Sequence, residues 1–316
     1  MFLSVKTISI ALSSLFLLGF ASCSEKYIST SGNTWGTSYH ITYQGERVLS
    51  DSVIEVFRHI DNELSMFNPN STVSRINRKE TVRVSGDFRR IFDLAKAVSV
   101  ASEGRYDPTV APLTDLWGFG RTRTARTPDS SEVAALLPLV GIEACSIDDD
   151  GSLTTKHPGT EFDFSSIAKG YGIDCVGDMF ERNGVHNYMI EVGGEVLVCG
   201  VNPRGEAWRI QIDSPEVADS ILHNRLQVIE LGPQRQAIAT SGNYRNFHTD
   251  STGHRYGHTL SPLTGYPVQT AIISTTVKAP GCALADALAT AGMLMEPQEI
   301  DSLLKPFGAE ALIVVE

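Results

Sequence analysis

The sequence predicts an α+β protein in which helices pack on largely antiparallel sheets. Short runs of β character follow one another through the second half of the chain, at 188–192, 195–199, 208–212, 226–231 and 272–278. Turns rich in Gly, Pro and Asn separate these runs, with no helical period between each pair. Strands that follow one another directly favour antiparallel pairing, whereas a doubly wound fold alternates strands with helices.

The composition is that of an ordinary globular protein with a sizeable core. Its 316 residues are 42% hydrophobic and 20% charged, which excludes disorder, collagen and a small disulfide-held fold. The chain has 26 Lys and Arg against 37 Asp and Glu, a formal charge of -11. Because such a chain repels phosphate backbones, no nucleic acid partner is expected.

The first 22 residues predict an export signal. Lys6 is their only charge, and their apolar run over 8–20 is shorter than the roughly 20 residues that span a bilayer. Small residues precede Cys23, where a bacterial lipoprotein is acylated, although Phe20 stands where that signal has an aliphatic residue. We therefore expect a lipid anchor on Cys23 rather than a membrane span, with an ordinary secretion signal as the alternative.

Residues 23–34 are rich in Ser and lack periodicity, so they are interpreted as a tether. The folded domain is then expected over 35–316. It begins with an alternation of aromatic and polar residues at 39–43, which predicts a strand.

Two helices are predicted in the first third of this domain. Apolar residues at helical spacing indicate one from Asp51 that ends before Pro69. The same spacing indicates a second over 88–98, for which Asp87 is a plausible N-cap and Gly104 the stop.

Four further cysteines lack the spacing of a zinc site: Cys145, Cys175, Cys199 and Cys282. Their apolar neighbours favour buried free thiols, although disulfides stay open in an oxidising compartment. The Arg-rich stretch 121–126 predicts an exposed loop, with a phosphate or partner contact as the alternative.

The segment DFSSIAKGYG at 163–172 leads into a helix. Asp163, Ser165 or Ser166 is expected to cap this helix, and Lys169 lies one turn in. Free N–H groups at a helix start beside an ammonium predict a seat for a phosphate or pyrophosphate. A capped surface helix with a single lysine gives the same pattern.

Asp286 and Thr290 lie four residues apart in a helix that is otherwise rich in Ala and Leu, so they share one face. A carboxylate and a hydroxyl are hard oxygen ligands suited to Mg²⁺, which tends to keep substrate phosphate oxygens around it. The alternative is an aspartate held by a structural hydrogen bond.

His258 lies in a predicted strand that leads to a turn with Pro and Gly. Its imidazole is a candidate to accept a proton from a hydroxyl. A purely structural histidine is the alternative.

A series of short motifs carries a family resemblance. In order they lie at 66–71, 74–77, 106–113 (YDPTVAPL), 116–120, 163–172, 191–195 (EVGGE), 202–205, 240–242, 258–265 and 286–290. In this order they resemble the ApbE family, the FAD:protein FMN transferases. The resemblance covers roughly residue 34 to the end of the chain.

The resemblance implies a T-fold-related α+β architecture and an enzyme on the periplasmic side of a bacterial membrane. It implies a Mg²⁺-dependent reaction that splits the FAD pyrophosphate, releases AMP and attaches FMN through a phosphoester to a Thr or Ser hydroxyl. The implied acceptors are flavin-carrying subunits of membrane redox complexes, marked by a motif similar to Asp-x-x-(Ser/Thr)-Gly-Ala-Thr. This sequence has no copy of that motif, so it resembles the donor enzyme rather than its own acceptor.

The resemblance also implies residue roles. Asp286 and Thr290 would bind Mg²⁺ through their side chains, with the backbone carbonyls of Ser166 and Ala289 completing the site. His258 would take the proton of the acceptor hydroxyl. The residues implied to contact FAD are Trp35, Phe67, Arg105, Tyr106, Asp107, Asp163, Lys169 and Leu260.

Two positions depart from the family pattern. Phe67 stands where Tyr is common, which keeps a ring to stack on flavin or adenine but loses the phenol hydrogen bond. Trp35 stands where many members have Met.

Two alternative functions stay open: an FAD pyrophosphatase that yields free FMN and AMP, and a non-catalytic lipoprotein that stores FAD. Storage alone needs neither metal ligands nor a base.

Overall fold

The structure of this chain is a computed structural model that describes residues 26–80, 83–122, 127–213, 225–242, 247–249 and 255–315. The predicted export signal and the predicted lipidation site Cys23 therefore lie outside the described residues. So does most of the Arg-rich stretch, from Arg123 to Arg126.

Seven strands form one antiparallel sheet. In spatial order they are β1 (Tyr27–Thr34), β2 (Thr37–Gln44), β5 (Tyr188–Val192), β6 (Glu195–Cys199), β9 (Gln236–Gly242), β12 (Ile272–Ala279) and β13 (Glu310–Val315). Three two-stranded ribbons accompany the sheet: β3 (Ser146–Ile147) with β4 (Leu153–Thr154), β7 (Trp208–Asp213) with β8 (Arg225–Leu231), and β10 (Phe247–Thr249) with β11 (Arg255–Gly257). The predicted strands at 188–192 and 195–199 are confirmed, and the other three differ by one residue at one end.

The helices are α1 (Ser50–Leu64), α2 (Thr72–Asn77), α3 (Gly86–Ala101), α4 (Ala111–Leu116), α5 (Ser130–Leu136), α6 (Ala168–Arg182), α7 (Cys282–Gly292) and α8 (Ile300–Leu304). The described residues also form four short 3-10 turns, at Leu137–Leu139, Ile142–Ala144, Pro297–Glu299 and Lys305–Phe307. Helices and antiparallel sheet together confirm the predicted α+β class.

The sheet is apolar on both faces, as β6 illustrates. Leu197 belongs to the main core, together with buried residues of α1, α3, α6 and α7. Its neighbours Val196 and Val198 belong to a second cluster with Trp208 and Leu231 from the β7–β8 ribbon. Because successive side chains of a strand point to opposite faces, helices cover one face and the ribbon covers part of the other.

The N-terminal hairpin corrects the tether prediction for 27–34. These residues form β1, an edge strand that pairs with β2 along its whole length. The turn consists of Trp35 and Gly36, with φ of 50° and 77°. Both central residues therefore have the positive φ of a type I′ hairpin turn. The strand is mostly polar and only half-buried, so backbone pairing defines it and no hydrophobic alternation announces it.

Two predicted helix caps are wrong. Ser85, not Asp87, caps α3, because its Oγ accepts from the amide of Phe88 at 3.1 Å. Helix α6 has Ile167 at its N-cap position and no side-chain cap. Asp163 lies upstream and accepts from the amide of Ser165 at 2.8 Å instead. Asp87 lies inside the first turn of α3, where its carboxylate accepts from the Tyr171 hydroxyl at 2.6 Å.

The four described cysteines are free, with Cys145 and Cys282 buried and Cys175 and Cys199 partly so. This confirms the prediction of free thiols. In the described part of the chain, no helix combines the length and the apolar content that crossing a bilayer requires.

Candidate functional site

Helices α6 and α7 meet at their N-terminal ends, and this contact builds the floor of the site. Gly170 permits the close approach, since a Cβ on it would lie 2.3 Å from the carbonyl oxygen of Cys282. The Gly170 amide donates to Asp286 Oδ2 at 3.1 Å. In a continued helix that amide would meet the carbonyl of Ser166. The Asp286 contact therefore leaves the Ser166 carbonyl available to another partner.

A cavity of about 310 Å³ opens above this contact. Its polar lining includes Asp163, Ser165, Ser166, Lys169, Glu195, Ser241, His258, Asp286 and Thr290. Most of the residues predicted to carry chemistry, more than 120 positions apart in sequence, thus share one space. We call it the charged cavity.

Three ionisable side chains lie close together in the charged cavity. Lys169 Nζ lies 2.5 Å from Glu195 Oε2. Burial and the nearby Asp286 carboxylate raise the pKa of Glu195 to about 7, although Lys169 opposes the shift. Burial likewise raises the pKa of Asp286, again against Lys169. Burial alone would lower the pKa of Lys169, but the two carboxylates raise it, so its ammonium stays protonated.

Thr290 faces the same space one turn beyond Asp286. Its Oγ1 lies 3.1 Å from Ser241 Oγ, at the end of β9. A hydroxyl that offers its lone pairs to a cation must direct its proton elsewhere, and Ser241 lies where that proton can go. Among the described residues there is no group of three His, Cys, Asp or Glu side chains placed to hold a metal. The donors available are one carboxylate, one hydroxyl and one carbonyl, a hard set of the kind that Mg²⁺ shares with substrate phosphates.

His258 follows β11 directly instead of lying inside the predicted strand. Its ring lies 6.4 Å from the ring of Phe119, edge to face. Leu260, two residues on, is buried and lines the same cavity. His258 itself is also among the residues that line the charged cavity.

A second cavity, of about 760 Å³, adjoins the first at Ser165 and Lys169, which line both. Its large apolar side chains are those of Trp35, Ile60, Leu64, Met66 and Phe67. Phe67 is 58% exposed. We call this space the aromatic cavity, and its open apolar walls suit a flat ring system.

The Trp35 ring is held firmly at the edge of the aromatic cavity. Its Nε1 donates to the Phe57 carbonyl at 3.2 Å, and the two rings meet edge to face at 4.9 Å. Gly172 lies under it, since a Cβ there would come within 2.2 Å of the indole. A bulky residue with positive φ is rare, so tertiary packing maintains this conformation.

The predicted FAD contacts divide between the two cavities. Trp35 and Phe67 line the aromatic cavity, while Tyr106 and Asp107 line the charged one. The Asp107 carboxylate already accepts from the amides of Thr109 and Ile142 and from the Thr109 hydroxyl. It therefore acts first as a structural hub.

Two predicted site residues are not among those that line either cavity. Arg105 pairs with Glu299 at 3.1 Å and Glu103 at 3.2 Å. Ala289 is fully buried, and its carbonyl accepts from the amide of Met293 at 3.3 Å within the end of α7.

Two polar residues of the charged cavity, Glu195 and Ser241, are not among the predicted site residues. Both lie in the family motifs, at 191–195 and 240–242. Glu195 could have been found from the sequence, because it is a charged residue at the start of an otherwise apolar strand. It is 6% exposed. Ser241 had no such signal, because only the pairing of β9 with β12 brings it to α7.

Known proteins are similar to this chain over most of its length. A family model described as "ApbE family" matches residues 35–313. A Vibrio cholerae protein named FAD:protein FMN transferase is 36% identical over 90% of this chain and 86% of its own length. A Haemophilus influenzae protein of the same name is 32% identical over the same shares.

Solved structures are similar as well. The Vibrio cholerae flavin transferase ApbE superposes with a TM-score of 0.80 at 33% identity, covering 92% of this chain and 94% of that one. The apo form of Pseudomonas stutzeri flavinyl transferase ApbE gives 0.82 at 32% identity, over 92% of each chain. The described fold is therefore that of these proteins.

Proposed function

Because the chain belongs to the ApbE family, we propose that it is an enzyme that transfers FMN from FAD to an acceptor protein. Relatives 26% to 36% identical bear the name of that activity. The observation that carries the proposal is the charged cavity, where Lys169, His258, Asp286 and Thr290 line one space. Such a set serves phosphoryl transfer, in which charge stabilisation and positioning dominate.

The donors of the charged cavity suit Mg²⁺. Asp286 and Thr290 would hold it through side-chain oxygens, and the Ser166 carbonyl supports a third contact because its helical partner is bound to Asp286. The cation supplies charge neutralisation at the phosphate oxygens of FAD. The fourth predicted contact, the carbonyl of Ala289, belongs to a residue that does not line the charged cavity and accepts from the amide of Met293.

The two adjoining cavities suit the two parts of FAD. One of its ring systems would lie in the aromatic cavity, against Phe67 and Trp35. Its pyrophosphate would cross at Ser165 and Lys169, the residues common to both cavities. Glu195 holds the Lys169 ammonium at this crossing, where it attracts phosphate oxygens.

The reaction then proceeds at the FMN side of the pyrophosphate. The hydroxyl oxygen of an acceptor Thr or Ser attacks the FMN phosphorus while the bond from that phosphorus to the bridging oxygen breaks. AMP leaves with the bridging oxygen, and FMN becomes a phosphoester of the acceptor. His258 accepts the hydroxyl proton, a general-base role open to an imidazole near neutral pH.

We further propose that the protein acts outside the cytoplasm, on the periplasmic side, anchored by a lipid on Cys23. The apolar run over 8–20 and the small residues before Cys23 support this location. Suitable acceptors are flavin-carrying subunits of membrane redox complexes, which an anchored enzyme would meet at the same membrane.

Mass spectrometry of a candidate acceptor tests the transfer. The full-length chain is incubated with FAD and Mg²⁺, with and without an acceptor domain that carries the Ser/Thr-Gly-Ala-Thr motif. The proposal expects an acceptor heavier by one FMN, an equal amount of AMP, and loss of both products on chelation. Free FMN and AMP regardless of acceptor would make the protein an FAD pyrophosphatase. FAD that stays bound and intact under all conditions would leave only storage.

A further inference from the structure

Helix α7 carries the proposed cation ligands Asp286 and Thr290. Its first turn is held by a residue that lies outside both cavities. The amides of Cys282 and Ala283 donate to Asp174, at 2.9 Å to Oδ1 and 2.8 Å to Oδ2. Asp174 lies in the middle of α6. A carboxylate of one helix therefore caps the N-terminus of another, where free amides and the helix dipole both favour a negative charge.

The attachment is reciprocal. Helix α6 offers the Gly170 amide to Asp286 of α7, and one turn later it offers the Asp174 carboxylate to the α7 amides. The first bond is made by Gly170 itself, where the helices touch, and the second lies one turn further along α6. The position of Asp286 relative to α6 is therefore fixed from both directions.

Arg235, just before β9, orients the Asp174 carboxylate. Its Nη2 donates to Asp174 Oδ1 at 3.0 Å and to the Asp174 carbonyl at 3.1 Å. Its Nη1 donates to Asp178 Oδ1 at 2.5 Å. The Asp174 side chain is 16% exposed, so this pair is well shielded from solvent.

We propose that Asp174, oriented by Arg235, is a positioning residue for the cation site. It fixes the first turn of α7 so that Asp286 and Thr290 present their oxygens together before the cation arrives. The inference rests on the proposed function, in which these two residues bind Mg²⁺. Asp174 acts through α7 alone, since it is not among the described residues that line either cavity.

The expected signature follows from preorganisation. In Asp174→Asn, one of the two α7 amides meets an NH₂ group instead of an oxygen, so the first turn loosens. Cation binding must then order that turn, which weakens binding without changing the bound geometry. The Mg²⁺ concentration for half-maximal AMP release should rise roughly tenfold or more. The rate at saturating Mg²⁺ should stay within about threefold of the wild-type rate.

The experiment compares full-length wild type, Asp174→Asn and Asp178→Asn. Asp178 lies one turn further along α6 and pairs with the same arginine, but it has no bond to α7. Its substitution is thus a matched control, and it should leave the Mg²⁺ dependence unchanged. Two readouts independent of turnover accompany the titration: hydrogen exchange at Cys282 and Ala283, expected to be faster only in Asp174→Asn, and the rise in Tm on adding Mg²⁺ with FAD, expected to shrink.

An unchanged half-saturating Mg²⁺ concentration in a folded Asp174→Asn protein would overturn the inference and leave Asp174 a structural cap. Should that variant not fold, Arg235→Lys decides, because it keeps the charge but lacks the planar fork that binds Asp174 and Asp178 through two separate nitrogens. In Arg235→Lys, a rise in the half-saturating Mg²⁺ concentration smaller than that expected for Asp174→Asn supports the inference. No rise overturns it. Asp286→Ala distinguishes a failure of this inference from a failure of the proposed cation site. If it too leaves the Mg²⁺ dependence unchanged, the assignment of Asp286 as a cation ligand is wrong.

Discussion

The aromatic and charged cavities adjoin at Ser165 and Lys169 but differ in almost every property that matters for chemistry. The aromatic cavity is large and open, and the ring at its rim, Phe67, is 58% exposed. The charged cavity has less than half that volume, and its Asp286 is 5% exposed. An exposed ring can bind a ligand without the desolvation of a charge. Burying a charge costs free energy, and such charges are useful where they stabilise a transition state. Under the proposed function, FAD binding therefore belongs mainly to the aromatic cavity and the chemical step to the charged cavity.

If this division holds, Asp286→Ala should produce the largest loss. Without the carboxylate the cation site has only neutral donors, so the rate of AMP release from FAD should fall roughly a thousandfold, about 4 kcal/mol. FAD affinity should change far less, since the aromatic cavity stays intact. Product analysis with fluorescence titration of FAD measures both. A variant with wild-type turnover would remove Asp286 from the chemistry.

The next largest effect is expected for His258→Ala. Loss of a general base should slow FMN transfer by about a hundred- to ten-thousandfold. FAD binding should stay within about threefold, because the imidazole serves the acceptor hydroxyl and not the nucleotide. Single-turnover transfer with saturating FAD isolates the step. Equal losses in binding and transfer would instead assign His258 to the nucleotide site.

Phe67→Ala should show the opposite pattern. Removing the ring at the rim of the aromatic cavity should weaken FAD binding about tenfold, the magnitude of one stacking contact. The rate at saturating FAD should stay near wild type. Phe67→Tyr is the matched control: it keeps the ring and adds the phenol hydroxyl. If Phe67→Ala lowered the saturated rate and left affinity unchanged, the two cavities would not be divided as described.

The smallest effect concerns stability and pH. Because burial raises the pKa of Glu195 to about 7, its proton stabilises the fold below the ordinary carboxyl pKa. That contribution is lost as the pH rises through about 7. The wild-type Tm should therefore fall more steeply between about pH 5 and pH 8 than that of Glu195→Gln. The exposed Glu310→Gln serves as control and should keep the wild-type slope. Equal slopes of Tm against pH in all three proteins would contradict the raised pKa of Glu195.

Local patterns predicted the middle of the fold well. Strands β5 and β6 have the predicted bounds because each is a short apolar run closed by turn residues. Helix α1 begins within one residue of its predicted start. The edge strand β1 escaped prediction because it buries little, and a strand defined by its backbone partner leaves no mark in its own side chains.

The candidate site was predicted in its parts but not in its connections. Spacing placed Asp286 and Thr290 on one face of a helix, and the structure brings both to one cavity. The roles of Gly170 and Asp174 depend on contacts with residues more than 100 positions away in sequence. No local pattern encodes such a contact, so the sequence around Asp174 indicates only an ordinary helix carboxylate.

The most direct test of the divided site is a crystal structure of the His258→Ala variant with FAD and Mg²⁺. We expect a ring system of FAD against Phe67 and Trp35, and the pyrophosphate between Ser165 and Lys169. We also expect a cation in contact with side-chain oxygens of Asp286 and Thr290. FAD bound with its pyrophosphate away from Asp286, or a cation held by other residues, would contradict the divided site.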